Sequence, residues 1–265
     1  MSDAVLYEVS DQIATITLNR PERLNAWNGE LGHLYWTYLD QAAADDAVKV
    51  IIVTGAGRGF CSGADMDVLQ GIGARAGALD DRGPRRDEHQ TYTLSIPKPV
   101  IAVINGSCAG LGMVQASMAD VRFAAAGTKF TTAFSRRGLI AEHGLGYVLP
   151  KLVGPSKALD LLMSARVFLA EEALQLGFVN WVYPAEELMA KARAYAADLA
   201  ANVSPTSMAV IKQQVWHSVQ NDLAASNALA DGEMRASLKR DDFKEGVSSF
   251  LEKRPPAFAP YRPTG

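Results

Sequence analysis

A chain of 265 residues, 48 % hydrophobic and 21 % charged, is long enough to bury a sizeable core as one large domain or two small ones. The formal net charge of −3 gives no electrostatic reason for a nucleic-acid or anionic-membrane partner, and no apolar run approaches the length of a membrane span. Two cysteines, Cys61 and Cys108, are too few for a disulfide framework, and the N-terminus carries neither a secretory signal nor an Arg-rich transit peptide, so the expectation is a cytoplasmic protein.

In chain order, Val5–Ser10 and residues 13–19 alternate apolar and polar positions about Asp11-Gln12 and predict a hairpin. Asn19-Arg20-Pro21-Glu22-Arg23 breaks that pattern. Leu31, Leu34, Tyr35, Tyr38 and Leu39 then fall at helical spacing and predict a helix over 28–44. Residues 48–54, VKVIIVT, predict a buried strand that runs into the glycine-rich stretch 55–65, GAGRGFCSGAD. Residues 71–86 shift to Gly, Ala, Arg and Asp, an insertion of the length that often serves as a lid. A second strand-to-turn unit occupies 99–120: apolar residues from Val100 to Ile104, then Gly106, Gly110 and Gly112, then a helix-compatible run that stops at Asp120. Beyond it, 121–124 predicts a strand, 138–146 a polar glycine-containing turn, 156–164 and 170–176 helices, and 178–182 a last strand. From Ala185 onward the pattern is helical, ending in a proline-rich tail. Repeated strand–turn–helix units predict a layered or spiral α/β core with a helical C-terminal extension.

Several motifs are weighed and set aside. The third glycine of Gly55-Ala56-Gly57-Arg58-Gly59 comes one place too early for a dinucleotide fingerprint, and no helix opens directly after it. Gly106-Ser107-Cys108-Ala109-Gly110 has the outline of a nucleophile elbow, but His33, His89, His143 and His217 are scattered without a supporting signature, so Cys108 reads as a small buried hydrophobe. No His or Cys pair has metal-ligand spacing. What remains is the pair of glycine turns, FCSGAD and NGSCAGLGM. A strand, a glycine turn and a helix start leave main-chain N–H groups unpaired, and two such turns can aim two donors at one developing oxyanion.

The chain resembles the enoyl-CoA hydratase/isomerase, or crotonase, family. The resemblance rests on Asn19-Arg20-Pro21 with Leu24-Asn25-Ala26, on Phe60-Cys61-Ser62-Gly63-Ala64-Asp65, and on Pro97-Lys98-Pro99 running into Asn105-Gly106-Ser107-Cys108-Ala109-Gly110-Leu111-Gly112. It continues through Ala119-Asp120, Gly138-Leu139, Leu149-Pro150-Lys151-Leu152-Val153-Gly154 and Phe250-Leu251-Glu252-Lys253-Arg254, and so covers nearly the whole chain. It implies a spiral of repeated ββα units over residues 1–195 and a helical trimerisation region over 196–265 that completes the coenzyme A site. It also implies an acyl-CoA thioester as substrate, with coenzyme A as part of that substrate and no separate cofactor, and a homotrimer or dimer of trimers.

Carried over position by position, the resemblance gives the oxyanion donors to the N–H groups of Ala64 and Leu111. Leu24, Ala26, Ser62, Asp65 and Met66 match the segments that cradle coenzyme A, although Asp65 also reads as the N-cap of a following helix. Phe250 and Lys253 match a C-terminal helix that reaches coenzyme A, often on a neighbouring subunit. The family's hydratases hold a water between two glutamates, and here Val114 and Phe134 occupy both positions. Neither can carry a proton. A carboxylate a few residues after Gly138-Leu139 carries the chemistry in some family members, and Glu142 stands there, flanked by an apolar run and a glycine turn that favour partial desolvation. The alternative for Glu142 is a cap on the helix starting near Gly144. Arg136 and Arg137 read as solvated or subunit-facing. The implied reaction is hydration or double-bond isomerisation of an enoyl-CoA; a thioester or C–C hydrolase and a non-catalytic acyl-CoA binder are the alternatives.

Overall fold

The computed structural model describes residues 3–67, 70 and 89–262; the expected lid at 71–86 lies outside the described residues. The predicted hairpin forms as β1 (Val5–Ser10) and β2 (Ile13–Leu18), paired antiparallel about Asp11 and Gln12, both left-handed. From there the sheet is parallel: β3 (Val50–Gly55), β5 (Val100–Ile104), β7 (Val121–Ala125) and β10 (Trp181–Tyr183) extend it in the order β1-β2-β3-β5-β7-β10. Short strands β4 (Gly59–Cys61), β6 (Ser107–Ala109), β8 (Lys129–Thr131) and β9 (Phe168–Leu169) form a second sheet in the order β4-β6-β8-β9. Three times in succession the chain passes from a long strand of the first sheet to a short strand of the second, and the repetition makes a spiral.

These passages are tight because glycine lies where no side chain fits. A Cβ added at Gly55 would overlap the Gly59 carbonyl, one at Gly106 the Arg58 carbonyl, and one at Gly112 the Cys61 carbonyl. Cys61 and Cys108 face each other across β4 and β6, fully buried, and burial pushes the Cys61 thiol up to about 12 and Cys108 well above its ordinary value. Both are inert packing groups, as the sequence reading of Cys108 held.

Helices cover both faces of the large sheet. On one side, Leu31, Tyr35 and Leu39 of α1 (Gly29–Ala44) are buried where the helix packs on β1 and β2, with Asn28 capping the helix by accepting from Leu31 N–H at 2.8 Å. α2 (Leu111–Met118) follows the second glycine turn and is buried at every position after the first. On the other side lies α6 (Ala185–Asn202), whose Leu188, Ala192, Ala196 and Ala200 recur every fourth residue. Small side chains on that stripe let the helix lie directly on Ile52, Val103 and Phe123. Between these come α3 (Leu145–Val153), α4 (Pro155–Ser164) and α5 (Ala170–Leu176).

Among the described residues, the buried Lys98 and Arg122 and the partly buried Lys212 join the elements. Lys98 donates to the Ala42 and Asp45 carbonyls at the C-terminal end of α1, at 2.8 and 2.6 Å. Arg122 donates to the Phe178 and Ala119 carbonyls at 2.5 and 2.6 Å and lies over the Phe178 ring. Lys212 of α7 (Pro205–Ser218) pairs with Asp120 at 2.7 Å, and Asp120 also accepts from Val100 N–H. Asp120, where the helical run of α2 stops, therefore ties the helical C-terminal segment to the mouth of β5. Two further helices, α8 (Leu223–Ser237) and α9 (Asp241–Glu252), leave Leu223, Met234, Phe250 and Leu251 exposed.

The loop between β2 and α1 is strapped across the turn that follows β4. Asn25, fully buried, donates to the Gly59 carbonyl at 2.7 Å and accepts from Arg20 N–H, while Trp27 N–H donates to Gly63 O at 2.7 Å. Arg20 closes the strap by pairing with Asp65 at 2.9 Å, and this contact holds the Asp65 carboxyl below its ordinary range.

Two stability measurements test this framework. Gly112→Ala should lose about 2–3 kcal/mol in urea unfolding, since its Cβ has no space against Cys61; a loss below about 1 kcal/mol would show that the two turns part without cost. Because the Asp65 pKa is lowered in the folded chain, its stabilising effect is complete above the ordinary carboxyl value of about 3.9 and disappears as pH falls through the folded value. Wild type should therefore lose more stability than Asp65→Asn on acidification from about pH 5 to about pH 2; parallel curves would rule the pair out as a stabilising contact.

Candidate active site

The two glycine turns meet face to face. Gly63 (φ +101°) and Gly110 (φ +50°) are both in backbone conformations that suit glycine, and a Cβ on Gly63 would lie 3.1 Å from the Ala109 carbonyl and 3.6 Å from the Gly110 Cα. Ala64 follows the first turn and Leu111 the second. Trp27 bonds to the residues on either side of Ala64, accepting from Asp65 N–H and donating to Gly63 O, so the Ala64 N–H points away from that bridge. Leu111 opens α2, where an N–H has no intrahelical acceptor. Neither N–H meets an acceptor among the described residues.

Both residues line one cleft of about 310 Å³. Its walls are largely apolar: Trp27 just before α1, Trp36 within α1, Leu111, Phe134 and Leu139. The two tryptophans meet edge to face with centroids 6.1 Å apart, and Gly32 leaves the room, since a Cβ there would lie 2.9 Å from the Trp27 indole nitrogen. Phe134, at the position of a family glutamate, is buried in the wall; Val114, at the other, is fully buried in α2. Among the described lining residues Glu142 is the single carboxylate, with 32 % of its side chain exposed.

Glu142 reaches the cleft from a tight turn. Leu145 N–H donates to the Glu142 carbonyl at 3.0 Å, and the central residues His143 (φ +54°) and Gly144 (φ +78°) are both left-handed, as a type I′ turn requires. Gly144 packs on Thr91 and Met118, which fixes the turn against the core. No side chain caps α3, so the Glu142 carboxylate is not used as the helix cap that its sequence position allowed. It lies 3.7 Å from Nε2 of His143, whose imidazole burial holds below its ordinary pKa; Glu142 pulls upward and His89 adds to the lowering.

The remaining residues singled out in the sequence divide. Ser62 lines the cleft. Leu24 and Asn25 take left-handed conformations in the strap, Ala26 is buried within it, and Met66 is exposed beside it. Asp65 turns inward to Arg20 and accepts from Asp67 N–H, so it holds local backbone in the manner of a cap. Phe250, 82 % exposed, lines a different cavity with Ser204, Phe243 and Phe258, and Lys253 ends α9 in a left-handed cap. Within one chain neither borders the cleft. Arg136 and Arg137 are both exposed, and Arg137 also lines the cleft while Arg136 donates to the Ser164 carbonyl. Trp27, Trp36 and Arg137 had no readable signal, because each sits where the pattern predicts only helix packing or solvent. Among the described residues no cluster of His, Cys, Asp and Glu could hold a metal ion, and no helix is long and apolar enough to cross a membrane.

A family model described as enoyl-CoA hydratase/isomerase matches residues 8–260. Among curated proteins, the chain is 34 % identical over 269 residues to the 1,2-epoxyphenylacetyl-CoA isomerase of Escherichia coli K12, covering 97 % of this chain and 99 % of the other. It is 38 % identical over 260 residues to a protein of Rhodobacter capsulatus described as a probable enoyl-CoA hydratase, covering 96 % and 97 %. Among solved structures, one described as a probable enoyl-CoA hydratase/isomerase from Mycobacterium abscessus matches with a TM-score of 0.87 at 29 % identity, over 97 % of this chain and 99 % of that one. The spiral of strand pairs with its helical extension is the crotonase fold. The chain belongs to the enoyl-CoA hydratase/isomerase family.

Proposed function

We propose that the protein processes an acyl-CoA thioester through an enolate, in hydration or double-bond isomerisation of an enoyl-CoA. One observation carries the reading: among the described residues, two turns with unengaged N–H groups and a single carboxylate line the same apolar cleft. The Ala64 and Leu111 N–H groups donate to the thioester oxygen as negative charge develops there, where preorganised donors in a water-poor site act most strongly. Glu142 carries the proton at the carbon next to the thioester. The names of two relatives, an isomerase and a hydratase, fit this reading.

In the same reading, Leu24, Ala26, Ser62, Asp65 and Met66 border the path of coenzyme A. With its carboxylate engaged by Arg20, Asp65 contributes main-chain groups. Phe250 and Lys253 complete the site from a neighbouring copy in a homotrimer or dimer of trimers, and the exposed apolar side chains of α8 and α9 support a covered surface there. Residues 1–195 then form the catalytic core and 196–265 the assembly region. Coenzyme A enters as part of the substrate, no separate cofactor takes part, and the protein works in the cytoplasm.

Glu142→Gln should lower kcat for crotonyl-CoA hydration or 3-enoyl-CoA isomerisation by about 10²–10⁴ while calorimetry still detects the CoA ester. Unchanged turnover in both assays would remove Glu142 from the reaction, and binding without turnover in the wild type would make the protein an acyl-CoA binder. Leu111→Pro deletes one donor at a first helical position, where proline is tolerated. It should cost about 10²–10³ in kcat with the circular dichroism spectrum retained; wild-type kcat in a folded variant would refute the Leu111 donor.

A further inference from the structure

The left-handed backbone at His143 calls for an explanation. A non-glycine residue at φ +54° is held there at a cost of about 1 kcal/mol, and such conformations persist where the surroundings over-determine them, often at functional sites. Here the surroundings are the Glu142–Leu145 hydrogen bond and the packing of Gly144 on Thr91. The turn places two consecutive side chains, Glu142 and His143, in the cleft wall. Neither imidazole nitrogen makes a hydrogen bond among the described residues, and the nearest ionised group is the Glu142 carboxylate, Nε2 to Oε2, 3.7 Å. Arg137 is the cation of the described cleft wall, and His89 is the other titratable group acting on the ring. Two polar atoms 3.7 Å apart are too far for a good direct hydrogen bond, yet both can reach one water.

We propose that Glu142 and His143 hold the reacting water between them, so that His143 is a second catalytic residue and the site is built for hydration. This rests on the enolate reading given above. With the ring protonated at Nε2, His143 donates to one lone pair of the water while the water donates to Glu142. The Glu142 carboxylate takes a proton from the water as the water oxygen bonds to the β-carbon of a 2-enoyl thioester. The carbon–carbon π pair moves toward the thioester, whose oxygen is met by the Ala64 and Leu111 N–H groups. The carboxylic acid then returns its proton to the α-carbon. One hydrogen and one hydroxyl are added, no electrons are gained or lost, and both side chains end as they began. Burial favours the neutral imidazole, the form in which one ring nitrogen donates without placing a positive charge beside Glu142. Proton exchange at the α-carbon needs Glu142 and the two N–H groups but no held water, so the two reactions separate the two side chains.

The test uses the intact protein and two assays: hydration of crotonyl-CoA, and uptake of deuterium from heavy water at the α-carbon of butyryl-CoA by mass spectrometry. His143→Gly removes the ring at a backbone position glycine accepts readily, so the variant folds, and His143→Gln returns a donor near Nε2. The ratio of hydration to exchange should fall about 10²-fold in His143→Gly, in kcat more than in KM, and recover in part in His143→Gln. A ratio unchanged in His143→Gly, or a wild type that exchanges the α-proton without hydrating, overturns the role of His143 and leaves the enolate reading standing. A wild type that binds butyryl-CoA and exchanges nothing overturns the enolate reading and this proposal with it.

Discussion

The structure depends on how closely two strand-to-turn passages approach each other. At Gly112 and Gly106 the neighbouring carbonyls of Cys61 and Arg58 occupy the space a side chain would need. That approach lets β4 and β6 pair and brings the turns at Gly63 and Gly110 into contact. Everything around it answers to the same constraint. Asn25 and Arg20 strap the first turn from outside, and Asn105 donates to the Gly57 carbonyl while accepting from Gly55 N–H, tying the passages together from within. Fully buried thiols at Cys61 and Cys108 fill the seam without adding a polar demand.

The division of labour at the cleft follows from this packing. Main-chain N–H groups depend on backbone shape, and the glycines hold that shape whatever side chain Ala64 or Leu111 carries. Val114 and Phe134 can therefore be apolar without disturbing the donors. Phe134 joins the wall, and the carboxylate comes from Glu142, on a turn that belongs to a different part of the chain. In the proposed reading, main-chain donors from two glycine turns hold negative charge and a carboxylate from a separate turn moves the proton.

Much of this was legible in the sequence because it is written in strong local signals. The hairpin about Asp11-Gln12 coincides with alternating apolar and polar positions, and the strand over Val50–Gly55 and the turns carrying Ala64 and Leu111 with apolar runs ending in glycine. Glu142 was legible through its distance from Gly138-Leu139, and the structure places it in the cleft with both turns. The short strands β4, β6 and β8 left no period to read, being three residues each. Trp36 and Arg137 escaped for another reason: their place in the cleft depends on how α1 and the segment before Gly138 pack, which no local pattern encodes. Lys98, set between two prolines, carries no local pattern that marks it as buried; its burial follows from the carbonyls that α1 leaves open at its end.

Lys98 has a mechanical consequence. α1 is 16 residues, about 24 Å, long, with Gly29, Gly32 and Trp36 of its first half on the cleft and the Lys98 ammonium at its far end. The helix is thus pinned at its far end by the segment that leads into β5 and the second glycine turn. Trp27, bonded to Gly63 and Asp65, belongs instead to the first turn, so the two tryptophans that meet in the cleft are each referred to a different glycine turn.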